Sequence, residues 1–164
     1  MKNWSYTIKE GEHAGKTLWS GRYCAVTGMV LYNDPDTDID YILATKRGKG
    51  TPDYQGYWCM PCGFLEADES GKQGVAREIF EETGIKYDPQ KFWLWDVQTE
   101  PELCNNGNVT LRYYILVDEM ATPNYVNING EADEVEEVKW IPASEIDNYK
   151  WAFGHDVLMK EILR

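Results

Sequence analysis

The sequence predicts one α/β (α+β) domain, with a mixed β-sheet layered between helices. Three observations carry that expectation. Short apolar runs of strand length alternate with turn clusters, one segment has clear helical periodicity, and 164 residues suit one domain spanning 1–164. Hydrophobic residues make up 43% of the chain and aromatics 13%, enough to offset the entropy of ordering and to argue against global disorder.

The elements follow in order. Residues 1–20 read as a lead-in carrying Trp4 and Trp19. Tyr23–Tyr32 is almost continuously apolar, as expected of a strand buried on both faces. The turn cluster Asn33–Asp38 separates it from a second strand, Tyr41–Thr45, so the two are expected to form a hairpin. A polar loop, Lys46–Gln55, follows. Glu69–Thr83 predicts a helix. Ser70 and Gln73 fit a capping box, Val75/Ile79 and Ala76/Phe80 form an apolar stripe, and Gly84 suits the position past the end. Gly74 inside that helix costs roughly 1 kcal/mol relative to Ala, which points to close backbone packing there. Phe92–Gln98, Val109–Val117 and Glu134–Trp140 are further strands, with helices expected at Ala143–Asn148 and His155–Arg164.

The formal net charge is −12, so a long basic track for nucleic acid is not expected. Small anionic substrates remain compatible, because a divalent cation among carboxylates reverses the local sign. No apolar run is long enough to span a bilayer and no signal-peptide pattern opens the chain, which reads as a cytoplasmic protein with reduced thiols at Cys24, Cys59, Cys62 and Cys104. Cys59 and Cys62 have the spacing of a redox or zinc half-site, but the plainer reading is two thiols beside a substrate loop.

The chemistry concentrates on the Glu-rich helix. Glu78, Glu81 and Glu82 share one face by i, i+3, i+4 spacing, close to the helix C-terminus where the macrodipole disfavours anions. The ordinary reading of such a face is solvated surface. Within the expected helix no lysine stands four residues on, and Arg77 is the basic residue beside them. A divalent cation with hard oxygen ligands would account for the crowding.

At this point the residues match a pattern. Gly63, Glu69, Arg77, Glu78, Ile79, Glu81, Glu82, Gly84 and Ile85 occupy the fixed places of G-x5-E-x7-R-E-U-x-E-E-x-G-U, where U is a bulky aliphatic. The chain therefore resembles the Nudix hydrolases. Trp58–Pro61, Glu134–Pro142 and Phe153–Asp156 extend the resemblance across most of residues 22–164. One departure is Cys62, which stands where the family often has a first glycine.

The resemblance implies a sheet sandwiched between helices and attack of water on one phosphorus of a diphosphate. It implies Mg²⁺ or Mn²⁺ held by Glu78 and Glu82, with Glu81 in the same shell and the backbone carbonyl of Cys62 as a further ligand. Arg77 looks like the arginine that orients a carboxylate, and Glu69 like its partner in the loop. The general base in many relatives is a glutamate on a later loop. Glu134, then Glu131, are the candidates here. Arg22, Arg47 and Arg112 are candidates for the phosphates, and Tyr57, with Tyr54, Trp58 and Trp19, for stacking on a nucleobase. Each of these also has a plain structural reading as a salt bridge or core aromatic.

The box specifies chemistry, not leaving group. Pro101 lies sixteen residues after Ile85, a position where ADP-ribose pyrophosphatases often carry proline. The expected substrate is therefore ADP-ribose or a similar nucleoside diphosphate derivative. Nucleoside triphosphates come second. A non-catalytic nucleotide sensor and a zinc or redox protein are the readings from other classes. The expected partners are a small-molecule nucleotide, without nucleic acid or membrane; a homodimer is compatible with the aromatic-rich chain.

Overall fold

The computed structural model describes residues 5–19, 21–103, 107–124 and 133–163, the side chain of Trp19 excepted. Strands β1 (Ser5–Thr7) and β2 (Thr17–Trp19) form a small antiparallel pair of their own. The main sheet comprises β3 (Cys24–Asp34), β4 (Ile39–Arg47), β5 (Trp58–Cys59), β6 (Cys62–Phe64), β7 (Trp93–Gln98), β8 (Val109–Val117) and β9 (Val135–Pro142). Two helices flank it, α1 (Gly71–Thr83) and α2 (His155–Ile162).

The β3–β4 hairpin forms as expected, but its strands pair only between Leu31–Asp34 and Ile39–Ile42. Beyond that they splay, and β5 and β6 fill the gap: β5 pairs with β4 at Thr45–Lys46, and β6 pairs with β3 at Ala25–Thr27. The Pro61 carbonyl accepts from the Gly28 amide at 2.9 Å, sealing the point of separation. On their outer edges β3 runs parallel to β8, and β4 antiparallel to β9. Strand β7 then pairs antiparallel with β8.

Alternation along β3 serves two cores, which is why its sequence is apolar throughout. Val26 and Val30 join Val75, Ala76 and Ile79 of α1 on one face. Met29 and Leu31 join Met60 and Met159 on the other, under α2. The helix–sheet–helix layering read from the sequence is the architecture observed.

Some boundaries differ. Helix α1 begins at Gly71 with Ser70 as N-cap, so Glu69 lies in the preceding loop. Residues Ala143–Asn148 form a 3₁₀ turn in place of the expected helix, entered from Pro142, whose extended backbone provides no side-chain cap. Helix α2 ends at Ile162. The lead-in contains β1 and β2, and β6 is additional to the expected strands. Among the described residues, no helix is long and apolar enough to cross a membrane.

Candidate active site on the glutamate helix

Both ends of α1 are fixed locally. The Ser70 and Gln73 side chains complete the capping box, and Gly84 closes the helix in the left-handed conformation (φ 74°), its amide donating to the Phe80 carbonyl. Gly74 lets the helix close on the loop before it. A Cβ there would meet Leu65 Cδ1 at 2.7 Å and Glu69 Oε1 at 2.9 Å. The packing expected around Gly74 is therefore present.

Arg77 organises the acids. Its Nε donates to Glu69 Oε2 (3.0 Å) and Nη2 to Glu69 Oε1 (2.7 Å), a bidentate pair. Nη1 reaches Glu78 Oε1 and Glu81 Oε2, both at 2.9 Å, and Nη2 also donates to the Phe64 carbonyl. One guanidinium thus serves three carboxylates. Its own pKa is raised, first by Glu69, and Glu69 is lowered in return by Arg77. Glu78 behaves differently: burial pushes it up to about 7 against the pull of Arg77.

Glu82 is held from the sheet side. Thr45 Oγ1 donates to its Oε2 at 2.8 Å, and the Cys62 amide donates to its Oε1 at 3.2 Å. Those donors belong to β4 and β6, the two strands beside the splay. Burial pushes Glu82 well above the usual carboxylate range, with Cys59 and Glu78 adding to it. Cys59 Sγ lies 3.4 Å from Thr45 Oγ1. Its thiol is lowered to about 7, chiefly by a hydrogen bond from Cys62, and Cys62 is raised in turn. Cys24, Cys59 and Cys62 are free thiols; Cys104 lies outside the described residues.

Gly63, the first fixed glycine of the box, has a steric reason. A Cβ at this position would collide with the Glu78 carboxylate, so the absent side chain is what lets Glu78 lie over the loop. The donor chemistry suits a hard divalent cation: part-buried carboxylates at Glu78 and Glu82, one turn apart, with Glu81 beside them. Burial disfavours their charged forms, which a cation would restore. Among the described residues, no three Asp, Glu, His or Cys side chains already converge as a ligand set. Arg77 engages Glu78 and Glu81, while Thr45 and Cys62 engage Glu82.

The remaining candidates separate by position. Arg47 ends β4, two residues beyond Thr45, and pairs with Asp53 at 2.7 Å. Tyr57 lies alongside it, its carbonyl accepting from the Arg47 amide. Glu134 is at the same end, its carbonyl accepting from Gly48 and its neighbour Val135 pairing with Arg47. Arg22 donates to the carbonyls of Thr99, Gly107 and Asn108, clipping the β7–β8 connection. Arg112 pairs with Asp96 on β7. Trp58 is buried, with Lys139 over its ring at 5.4 Å. Glu131 lies outside the described residues. Thr45 had no mark in the sequence; its role appears only when β4 and α1 are brought together.

A family model described as the NUDIX domain matches residues 22–162. The chain belongs to the Nudix family. This Nudix hydrolase is 32% identical over 142 residues to an ADP-ribose pyrophosphatase of Methanocaldococcus jannaschii, covering 82% of this chain and 76% of that protein. It is 30% identical over 90 residues to the phosphatase NudJ of Escherichia coli, spanning 54% of each. In structure it is similar to the NUDIX domain of Shewanella oneidensis NrtR, solved with ADP ribose, with a TM-score of 0.73, 21% identity and 88% of each chain covered. It is also similar to a bifunctional NMN adenylyltransferase/ADP ribose pyrophosphatase of Francisella tularensis, solved with AMP and a Mn ion. There the TM-score is 0.70 with 25% identity, covering 87% of this chain and 41% of that one.

Proposed function

We propose that this Nudix hydrolase cleaves the diphosphate of a nucleoside diphosphate joined to another moiety, ADP-ribose or a close analogue, releasing a nucleoside monophosphate. The observation that carries the reading is the pair of part-buried carboxylates Glu78 and Glu82, one turn apart, the first held by Arg77 and the second by Thr45 and the Cys62 amide. The M. jannaschii relative and the ligands in the two solved relatives support the choice of substrate class.

Glu78 and Glu82, with Glu81 and the Cys62 carbonyl, would hold Mg²⁺ or Mn²⁺. Such an ion neutralises phosphate oxygens and makes hydroxide available near neutral pH. The protein's part is positioning. Thr45 and the Cys62 amide fix Glu82 before substrate arrives, and Glu69 locks Arg77, which orients Glu78 and Glu81. Glu134 takes the proton of the attacking water as general base. Arg47, at the end of β4, and Tyr57 alongside it bind the substrate next to its diphosphate.

The test is hydrolysis of ADP-ribose, other sugar nucleotides, dinucleotides and nucleoside triphosphates with Mg²⁺ or Mn²⁺, beside Glu82→Gln. The expected result is metal-dependent AMP from ADP-ribose, reduced about 10³-fold in the variant, the rate equivalent of several kcal/mol of charge stabilisation. Pyrophosphate from triphosphates would replace the substrate assignment. Tight ADP-ribose binding without turnover would make the protein a nucleotide sensor.

A further inference from the structure

Two bulky residues of this fold have a backbone conformation that L side chains rarely adopt. Tyr54 (φ 50°) lies in the β4–β5 loop, and Phe153 (φ 59°) stands just before α2. Such conformations persist when the surroundings impose them, and they gather at ligand sites. These two are far apart in sequence, yet their rings meet edge to face with centroids 4.9 Å apart. Tyr57 extends the group, with its centroid 5.6 Å from that of Tyr54. The Arg47 guanidinium lies over the Phe153 ring at 4.9 Å, fixed from the other side by Asp53.

The cluster is not closed core. Phe153 is 37% exposed and Tyr57 36%, although Arg47 already covers part of Phe153. A hydrophobic ring held in a strained conformation and still open to solvent gains little for folding. The cluster also joins the glutamate helix by a short chain of contacts. Glu82 is bonded to Thr45, and Arg47, two residues further along the same strand, stacks on Phe153. From Thr45 to Arg47 is two residues of strand, about 7 Å, comparable to the span from a 5′-phosphate to its base.

We propose that Arg47, Tyr54, Tyr57 and Phe153 form the subsite for the nucleobase of the substrate, with Phe153 as the stacking platform. The assignment rests on the reading of the protein as a nucleotide hydrolase. A flat base with a π-face suits aromatic rings and a guanidinium plane, and base-on-aromatic stacking tolerates different bases. Specificity would then lie in having a base at all.

The experiment is calorimetry of AMP and ribose 5-phosphate binding to the full chain, for wild type, Phe153→Leu and Phe153→Tyr, with melting curves to verify folding. AMP should bind wild type more tightly than ribose 5-phosphate does. Phe153→Leu should weaken AMP roughly ten-fold and leave ribose 5-phosphate unchanged, and Phe153→Tyr should restore AMP binding. If Phe153→Leu does not fold, Tyr57→Leu takes its place with the same expectation. Equal affinity for the two probes in wild type, or an equal loss for both in the variant, overturns the subsite. Binding needs no turnover, so a protein inactive on every diphosphate could still show the AMP-selective loss. An active one whose AMP affinity ignores Phe153 would refute the subsite and leave the hydrolase standing.

Discussion

The two faces of the central sheet are packed with different materials. Under α1 the core is dominated by branched side chains: Val26, Val30, Val75, Ile79, Ile85 and Ile115. Under α2 half of the buried cluster is methionine: Met29, Met60 and Met159 beside Leu31, Ile42 and Ile146. Branched side chains have few rotamers, whereas methionine has three flexible bonds and fills irregular space. The stiff layer lies beneath Glu78 and Glu82, and Gly28 lets it close further: a Cβ there would meet Val75 at 2.7 Å and Ile79 at 2.8 Å. The side chains with the fewest rotamers thus pack against the helix that carries the carboxylates.

Removing the arginine on the stiff face should have the largest effect. Arg77→Ala leaves Glu69, Glu78 and Glu81 without their shared cation, and should cost about 3 kcal/mol in urea unfolding as well as nearly all activity. Unchanged stability would mean that the acids, not the arginine, set the local geometry.

Acid should separate the faces next. His155, the first residue of α2, is buried with Nδ1 accepting from the Met60 amide, and burial lowers it to about 3 from an ordinary 6.5. Above pH 6.5 its folded and unfolded forms are both neutral. Below that the unfolded chain takes a proton that the folded chain refuses until about pH 3. Its share of stability therefore falls by about 1.4 kcal/mol per pH unit over this window. Glu78, raised to about 7 from 4.5, acts in the opposite direction between those values, stabilising the fold as pH drops. The difference in unfolding free energy between wild type and His155→Gln, followed from pH 7.5 to 4.5, isolates the histidine. A flat difference would show that its burial is relieved.

The smallest effects test the packing contrast itself. Met159→Leu should cost under about 1 kcal/mol, and Ile79→Leu more, about 1–1.5 kcal/mol, because the stiff face repacks less freely. Thermal unfolding decides it, and a reversed order breaks the contrast.

Much of this was legible in the chain. The capping box, Gly84 and the spacing from Gly63 to Ile85 are local, so they could be read without a fold. Strand β8 matched its expected limits because a run rich in β-branched and aromatic residues, bounded by Asn108 and Asp118, has one interpretation. Strand β6 has three residues and no alternation, and β1 and β2 are equally short, so periodicity had nothing to act on. The partners of Arg22 and Arg112 were hidden because a long cationic side chain finds carbonyls or carboxylates that only tertiary contact supplies. Thr45 was hidden for the same reason, and the strained backbones of Tyr54 and Phe153 leave no compositional trace.

The splay between β3 and β4 has a kinetic consequence. The Cys62 amide that donates to Glu82 belongs to the short wedge closing the gap, and Thr45 donates from the opposite side. Local opening of the wedge releases Glu82 and exposes that amide together, so its hydrogen-exchange rate would count the fraction of molecules in which the Glu82 carboxylate has momentarily let go.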